Sequence, residues 1–189
     1  MPVLSGLSFL KQYITKPRTV GAVLPSSKYL ADKMTQDIDF QNAHCVVEYG
    51  AGTGVFTDSI LKLRNPATTV IIFENNEEFY TLLTEKYAKE ENVHITSDSA
   101  EQVGEHLQKH NFTHADYIIS GLPFASLPQV VSANIMAQTK KYLKQGGSFI
   151  TFQYTMLKKD FIGQYFPNIS IKREVRNVPP AHVFTCRHG

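Results

Sequence analysis

An α/β fold is what this 189-residue sequence predicts: a mostly parallel sheet with helices on both faces and an antiparallel pair at the C-terminal end. Three observations carry it. Short apolar, β-branched runs alternate with helix-length segments from residue 44 onward, the pattern of consecutive βα units. The first run delivers the chain into a glycine-dense turn that opens a helical segment. The last two runs flank a Pro179-Pro180 break and read as a closing antiparallel pair.

Taken in order, strands are predicted over 44–49, 69–74, 93–98, 115–120 and 148–154. Helical segments are predicted over 55–63, 77–89, 99–109 and 127–145. The last helix is expected to stop at Gly146-Gly147, where a left-handed residue is wanted. The tail pair covers 170–178 and 181–187. No repeat or low-complexity linker interrupts the pattern. The expectation is a single domain over 1–189, with 1–36 as a helical N-terminal segment.

Composition excludes several classes. Apolar content of 42% and charged content of 19% are ordinary for a globular domain. No apolar run approaches the ~18 residues that read as a membrane span. Lys11, Lys16 and Arg18 follow the first apolar residues instead of preceding them, the reverse of a secretory signal. Two cysteines, Cys45 and Cys186, make neither a disulfide framework nor a metal set, so two buried thiols and no metal are expected. The net charge of +2 hides an asymmetry. Residues 1–36 carry five Lys/Arg against one acid and residues 102–189 ten against four, whereas residues 37–101 carry four against twelve. Basic outer segments suit an anionic partner, a membrane surface or a nucleic acid, or are solvated helix faces.

The chemistry concentrates in Val46-Val47-Glu48-Tyr49-Gly50-Ala51-Gly52-Thr53-Gly54, with a second acid, Glu74, closing the next strand. Glycines at alternate positions let the backbone turn tightly and approach a ligand. An acid at that distance suits a carboxylate accepting from a ribose diol, or a helix N-terminal acid. The dinucleotide fingerprint G-x-G-x-x-G is excluded, because Val55 stands where its third glycine belongs. With Glu48 ahead of it, E-x-G-x-G-x-G resembles the cofactor loop of class I S-adenosylmethionine-dependent methyltransferases. Five βα units and a terminal pair then match that family's Rossmann-like, seven-stranded sheet. The resemblance assigns Glu48, Gly50, Gly52 and Gly54 to the methionine and ribose portion of S-adenosylmethionine, Glu74 to the ribose hydroxyls, and Asp98 and Ala100 to adenine. For Asp98 the alternative is a helix N-cap with Glu101 at the third helical position.

The segment ending the fourth strand, Ser120-Gly121-Leu122-Pro123-Phe124, resembles the Asn-Leu-Pro-Tyr/Phe motif of ribosomal-RNA adenine dimethylases, with Gly121 in place of the asparagine. The missing amide argues against adenine, because a polar site discriminates by such pairing. Gly-Leu-Pro-Phe, the N-terminal Gly21-Ala22-Val23-Leu24-Pro25-Ser26-Ser27 and Asn177-Val178-Pro179-Pro180-Ala181 are together similar to bacterial phospholipid N-methyltransferases. That resemblance implies N-methylation of a phospholipid head-group amine, phosphatidylethanolamine toward phosphatidylcholine. The substrate end would be shaped by Gly121, through its carbonyl, by Phe124, and by Tyr13 from the N-terminal segment. Val3, Leu7, Leu10 and Ile14 at helical spacing, with three cations in or just after them, read as an interfacial helix or a lid. The implied location is cytoplasmic, at the inner face of an anionic membrane. An RNA adenine methyltransferase, a small-amine methyltransferase and a non-catalytic cofactor-binding module stand as alternatives.

Overall fold

The computed structural model describes residues 27–188. Seven strands form one sheet: β1 (Cys45–Tyr49), β2 (Thr69–Phe73), β3 (Val93–Thr96), β4 (Ala115–Ser120), β5 (Leu143–Gln153), β6 (Asn168–Glu174) and β7 (Ala181–Arg187). The helices are α1 (Lys28–Thr35), α2 (Val55–Leu63), α3 (Glu77–Lys86), α4 (Val103–Lys109), α5 (Gln129–Tyr142) and α6 (Lys159–Gly163), with a 3₁₀ turn at Ala100–Gln102 ahead of α4. Strand order is β3-β2-β1-β4-β5-β7-β6. β1 to β5 run parallel, and β7 lies antiparallel between β5 and β6. The order reverses at β1 and β4, so a crevice is expected outside their carboxyl ends.

β1 is buried along its whole length, and its residues alternate between two cores. Cys45, Val47 and Tyr49 join Val103, Leu107, Ile135 and Met136 on one face of the sheet. Val46 joins Leu30, Met34, Phe56, Ile60 and Leu83 on the other. That alternation carries Glu48 to the α2 side. At the amino edge, Asp116 Oδ2 accepts from the backbone N–H of His44 and Cys45 at 2.8 and 3.0 Å, and Oδ1 accepts from Lys144 at 2.6 Å. One carboxylate thus ties together the starts of β1, β4 and β5. Both cysteines are free and buried, and burial pushes each thiol up to about 12.

The helix predicted over 77–89 ends at Lys86 and the strand predicted over 93–98 at Thr96, and four further local expectations change. The helix over 127–145 ends early, at Tyr142, and the chain enters β5 at Leu143. Gly146, at φ +83°, belongs to a bulge in β5, between the pairs Ala115–Leu143 and Tyr117–Ser148. Gly147 is needed there because a Cβ would meet the carbonyl of Asp116. The second change is at 99–109, which is split: Ser99 caps the 3₁₀ turn by accepting from Glu101 N–H at 3.3 Å. Asp98 is therefore not the N-cap. Third, β6 starts at Asn168 and ends at Glu174, leaving 175–180 as a loop. Fourth, the five-residue α6 has no counterpart in the sequence reading. Of the 1–36 segment, only the part from residue 27 falls within the described residues. It includes α1, whose N-cap Ser27 accepts from Leu30 N–H.

Candidate active site

The carboxyl ends of β1, β2 and β4 meet through backbone hydrogen bonds. Gly50 N–H donates to Phe73 O at 2.7 Å, and Gly121 N–H donates to Tyr49 O at 2.8 Å. Gly50, Gly52 and Gly54 all have positive φ, +67°, +56° and +83°, a conformation that side-chain-bearing residues rarely adopt. What surrounds each glycine differs. A Cβ on Gly54 would strike the Tyr87 hydroxyl, and one on Gly50 would sit 2.8 Å from Leu122 Cδ2. A Cβ on Gly52 would meet nothing within 4 Å, so this turn faces open space.

Two carboxylates lie at this turn. Glu74 Oε2 accepts from Gly52 N–H at 2.7 Å and Oε1 from Asn76 N–H at 2.9 Å. Burial raises its pKa, while these two bonds pull the other way. Glu48 is fully buried below the turn. Its Oε2 accepts from Thr57 Oγ1 at 2.7 Å, and its Oε1 has no partner. Burial pushes Glu48 up to about 8, with the nearby charge of Glu74 adding to the rise. Tyr87 braces the far side of the turn, donating within reach of Gly54 O at 3.0 Å and Asp58 Oδ1 at 2.8 Å.

Asp98 stands beyond the end of β3, half exposed. Its Oδ2 accepts from Thr96 Oγ1 at 3.0 Å and from His106 Nε2 at 2.8 Å. His106 first, and Thr96 second, hold the Asp98 carboxyl below its ordinary value. Ala100 is buried at the start of the following turn, in the core that also contains Tyr49 and Phe73.

The segment after β4 gives two results that the motif alone does not supply. A Cβ at Gly121 would lie 2.5 Å from Gly50 O, so the β4 loop rests directly on the glycine turn. Glycine at 121 therefore has a steric reason as well as a chemical one. Phe124 does not face open space as its expected role at the substrate end requires. It is fully buried, edge-on to Phe149 at 6.4 Å, where it anchors the loop in the core. Tyr13 lies outside the described residues. The structure thus brings Glu48, Gly50, Gly52, Gly54, Glu74 and Gly121 together, sets Asp98 and Ala100 at the neighbouring strand end, and turns Phe124 inward.

Two contributors escaped the sequence reading, and a third was quoted there only as part of a motif. Thr57 and Tyr87 touch the turn from α2 and from the end of α3, and neither belongs to a motif. Asn177 Oδ1 accepts from Ser27 N–H at 3.0 Å, while its Nδ2 donates to Pro179 O at 2.8 Å. That residue couples the β6–β7 loop to the start of α1, and the Asn-x-Pro-Pro pattern was its only signal. Among the described residues, no group of three or more His, Cys, Asp or Glu is placed to hold a metal.

Comparison with known proteins bears on the family and the fold. The family model described as ribosomal RNA adenine dimethylase matches residues 23–175. An ornithine lipid N-methyltransferase from Singulisphaera acidiphila is 30% identical over 181 residues, covering 95% of this chain and 94% of that protein. Among solved structures, precorrin-6y C5,15-methyltransferase from Geobacter metallireducens superposes with a TM-score of 0.65 at 12% identity, covering 84% of this chain and 88% of that one. An rRNA methylase from Streptococcus thermophilus gives 0.61 at 17% identity, covering 85% and 95%. These likenesses establish the shared fold. The chain belongs to the ribosomal RNA adenine dimethylase family of class I, S-adenosylmethionine-dependent methyltransferases, and is an N-methyltransferase.

Proposed function

We propose that this enzyme methylates the primary amine of a membrane-lipid head group, phosphatidylethanolamine toward phosphatidylcholine, at an anionic membrane surface. The observation that carries the reading is the end-to-end similarity to a lipid N-methyltransferase, over nearly the full length of both chains. Gly121 supports it. With no side-chain amide at that position, the loop offers backbone carbonyls, which suit an aliphatic amine better than the edge of a base. The rim supports it too. Met156, Leu157, Val175 and Val178 are large exposed apolar side chains on the loops after β5 and β6, interspersed with Lys158, Lys159 and Arg176. Apolar side chains among cations suit an anionic interface. No helix among the described residues is long and apolar enough to cross a membrane. The N-terminal segment ahead of α1, as lid or interfacial helix, completes the proposed single domain; of the 1–36 segment, α1 itself is a core helix, with Leu30, Ala31 and Met34 buried.

The residues present fit S-adenosylmethionine: the Gly52 turn opens onto free space, Glu74 lies against it, and Glu48 Oε1 is an unpartnered polar atom beneath it. The cofactor supplies an electrophilic methyl group on a cationic sulfur. The chain's own groups bind and orient. The glycine turn (Gly50, Gly52, Gly54) and Glu48 would take the methionine and ribose portion, Glu74 the ribose hydroxyls, and Asp98 with Ala100 the adenine. The Gly121 carbonyl would orient the neutral amine lone pair for in-line attack, with Tyr13 contributing from the N-terminal segment, and water excluded by the loop that buried Phe124 anchors. No general base is required of any of these residues.

The test is transfer of labelled methyl groups to vesicles containing phosphatidylethanolamine or ornithine lipid, with unmodified ribosomal RNA in parallel. Label in lipid is the expected result. Label confined to RNA would replace this reading with adenine methylation, the activity in the matching family's description. Label in ornithine lipid alone would keep the lipid amine and correct the head group.

A further inference from the structure

Asp98 is an exposed acid on a short connection, and such a carboxylate has no fixed direction of its own. His106 supplies one. It comes from the last turn of α4, its side chain 12% exposed against 50% for Asp98. Its ring stands edge-on to Phe73 at 5.0 Å, which fixes the plane. A carboxylate only accepts, so the 2.8 Å contact requires a proton on Nε2, donated to Oδ2. Thr96 Oγ1 donates to the same oxygen at 3.0 Å and accepts from Asp98 N–H at 3.2 Å. Two donors therefore saturate Oδ2, and Oδ1 takes neither.

We propose that His106 is a positioning residue for base recognition: by clamping Oδ2 it presents Asp98 Oδ1 to the exocyclic amine of the cofactor's adenine. This rests on the assignment of Asp98 to adenine in the proposed function. The clamp makes the enzyme selective for a 6-amino purine over a 6-oxo purine, whose carbonyl would face the carboxylate acceptor to acceptor. Groups held in place before binding lose less on binding than groups that must be ordered. A histidine that served the core alone would need no polar atom aimed at this acid, and the loss of its ring would move stability without moving base preference.

The experiment compares affinities for S-adenosylhomocysteine and its 6-oxo analogue, S-inosylhomocysteine, by calorimetry. The wild type should prefer the amino compound. Asp98→Ala should abolish the preference. His106→Ala should cut it about tenfold while leaving S-inosylhomocysteine affinity near the wild-type value, and His106→Gln, which keeps a donor, should restore part of it. A preference lost in Asp98→Ala but intact in His106→Ala overturns the positioning role alone. A preference intact in Asp98→Ala overturns the adenine assignment, and the clamp with it. Should the variants fail to fold, nitrogen NMR of histidine-labelled wild type decides. One Nε2–H resonance should respond to S-adenosylhomocysteine and not to the 6-oxo analogue, and an equal response to both refutes the proposal.

Discussion

Replacing Gly121 with alanine separates the steric role of this residue from its chemical one. The added Cβ would lie 2.5 Å from Gly50 O, about 0.8 Å inside the ~3.3 Å at which carbon and carbonyl oxygen rest. Both groups are backbone. Gly121 N–H is bonded to Tyr49 O and Gly50 N–H to Phe73 O, so neither loop can swing aside without breaking a bond. Overpacking of this kind costs about 1–3 kcal/mol. Moving the Gly50 carbonyl also disturbs Gly52, whose N–H is held by Glu74. Cofactor affinity should therefore fall roughly tenfold or more, a tenfold loss corresponding to about 1.4 kcal/mol. Thermal unfolding measures the first effect and calorimetry with S-adenosylhomocysteine the second. Gly121→Asn should behave no better, and should not yield an RNA methyltransferase, because the new amide arrives on the same obstructed Cβ. Wild-type stability and cofactor affinity in Gly121→Ala would refute the reasoning.

Three further outcomes follow from the site and the charge pattern. Burial raises Glu48 to about 8, above its unfolded value, so the ligand-free protein should lose stability as pH rises between about 4.5 and 8. Glu48→Gln should flatten that slope, gaining on the wild type by on the order of 2–4 kcal/mol between pH 5 and 8, and denaturant titration at the two pH values would show it. Tyr87→Phe removes the hydroxyl that reaches Gly54 O and Asp58, and should cost ~1 kcal/mol of stability together with a several-fold loss of cofactor affinity. Changing Lys11, Lys16 and Arg18 together to glutamate should abolish sedimentation with anionic vesicles while sparing cofactor affinity. Unchanged sedimentation would count against an interfacial N-terminal segment.

Much of the scaffold was legible because it obeys local rules. Strand 115–120 and helix 55–63 are read at the residue, since each is a continuous periodic run bounded by turn residues. The glycine turn was legible for the same reason: three alternate glycines after a buried strand have few other uses. The misread stretches depend on partners elsewhere. Gly146-Gly147 looks like a helix stop, yet its conformation answers to Asp116 across the sheet, thirty residues away. Phe124 looks like a substrate-facing aromatic until Phe149 takes its ring into the core.

By itself the sequence determined the α/β class, the acid-and-glycine turn that suits S-adenosylmethionine, and the departure at Gly121 from the adenine motif. These are matters of spacing and side-chain type along one stretch of chain. Only the tertiary structure decided that Gly121 rests on Gly50, that Glu48 is buried on Thr57, that Tyr87 braces Gly54, and that His106 grips Asp98. Each of those contacts joins residues that pattern alone leaves unconnected, brought together by the order β3-β2-β1-β4-β5-β7-β6. The physical reason is that close approach, desolvation and hydrogen-bond direction are properties of neighbours in space, and a sequence orders only neighbours along the chain.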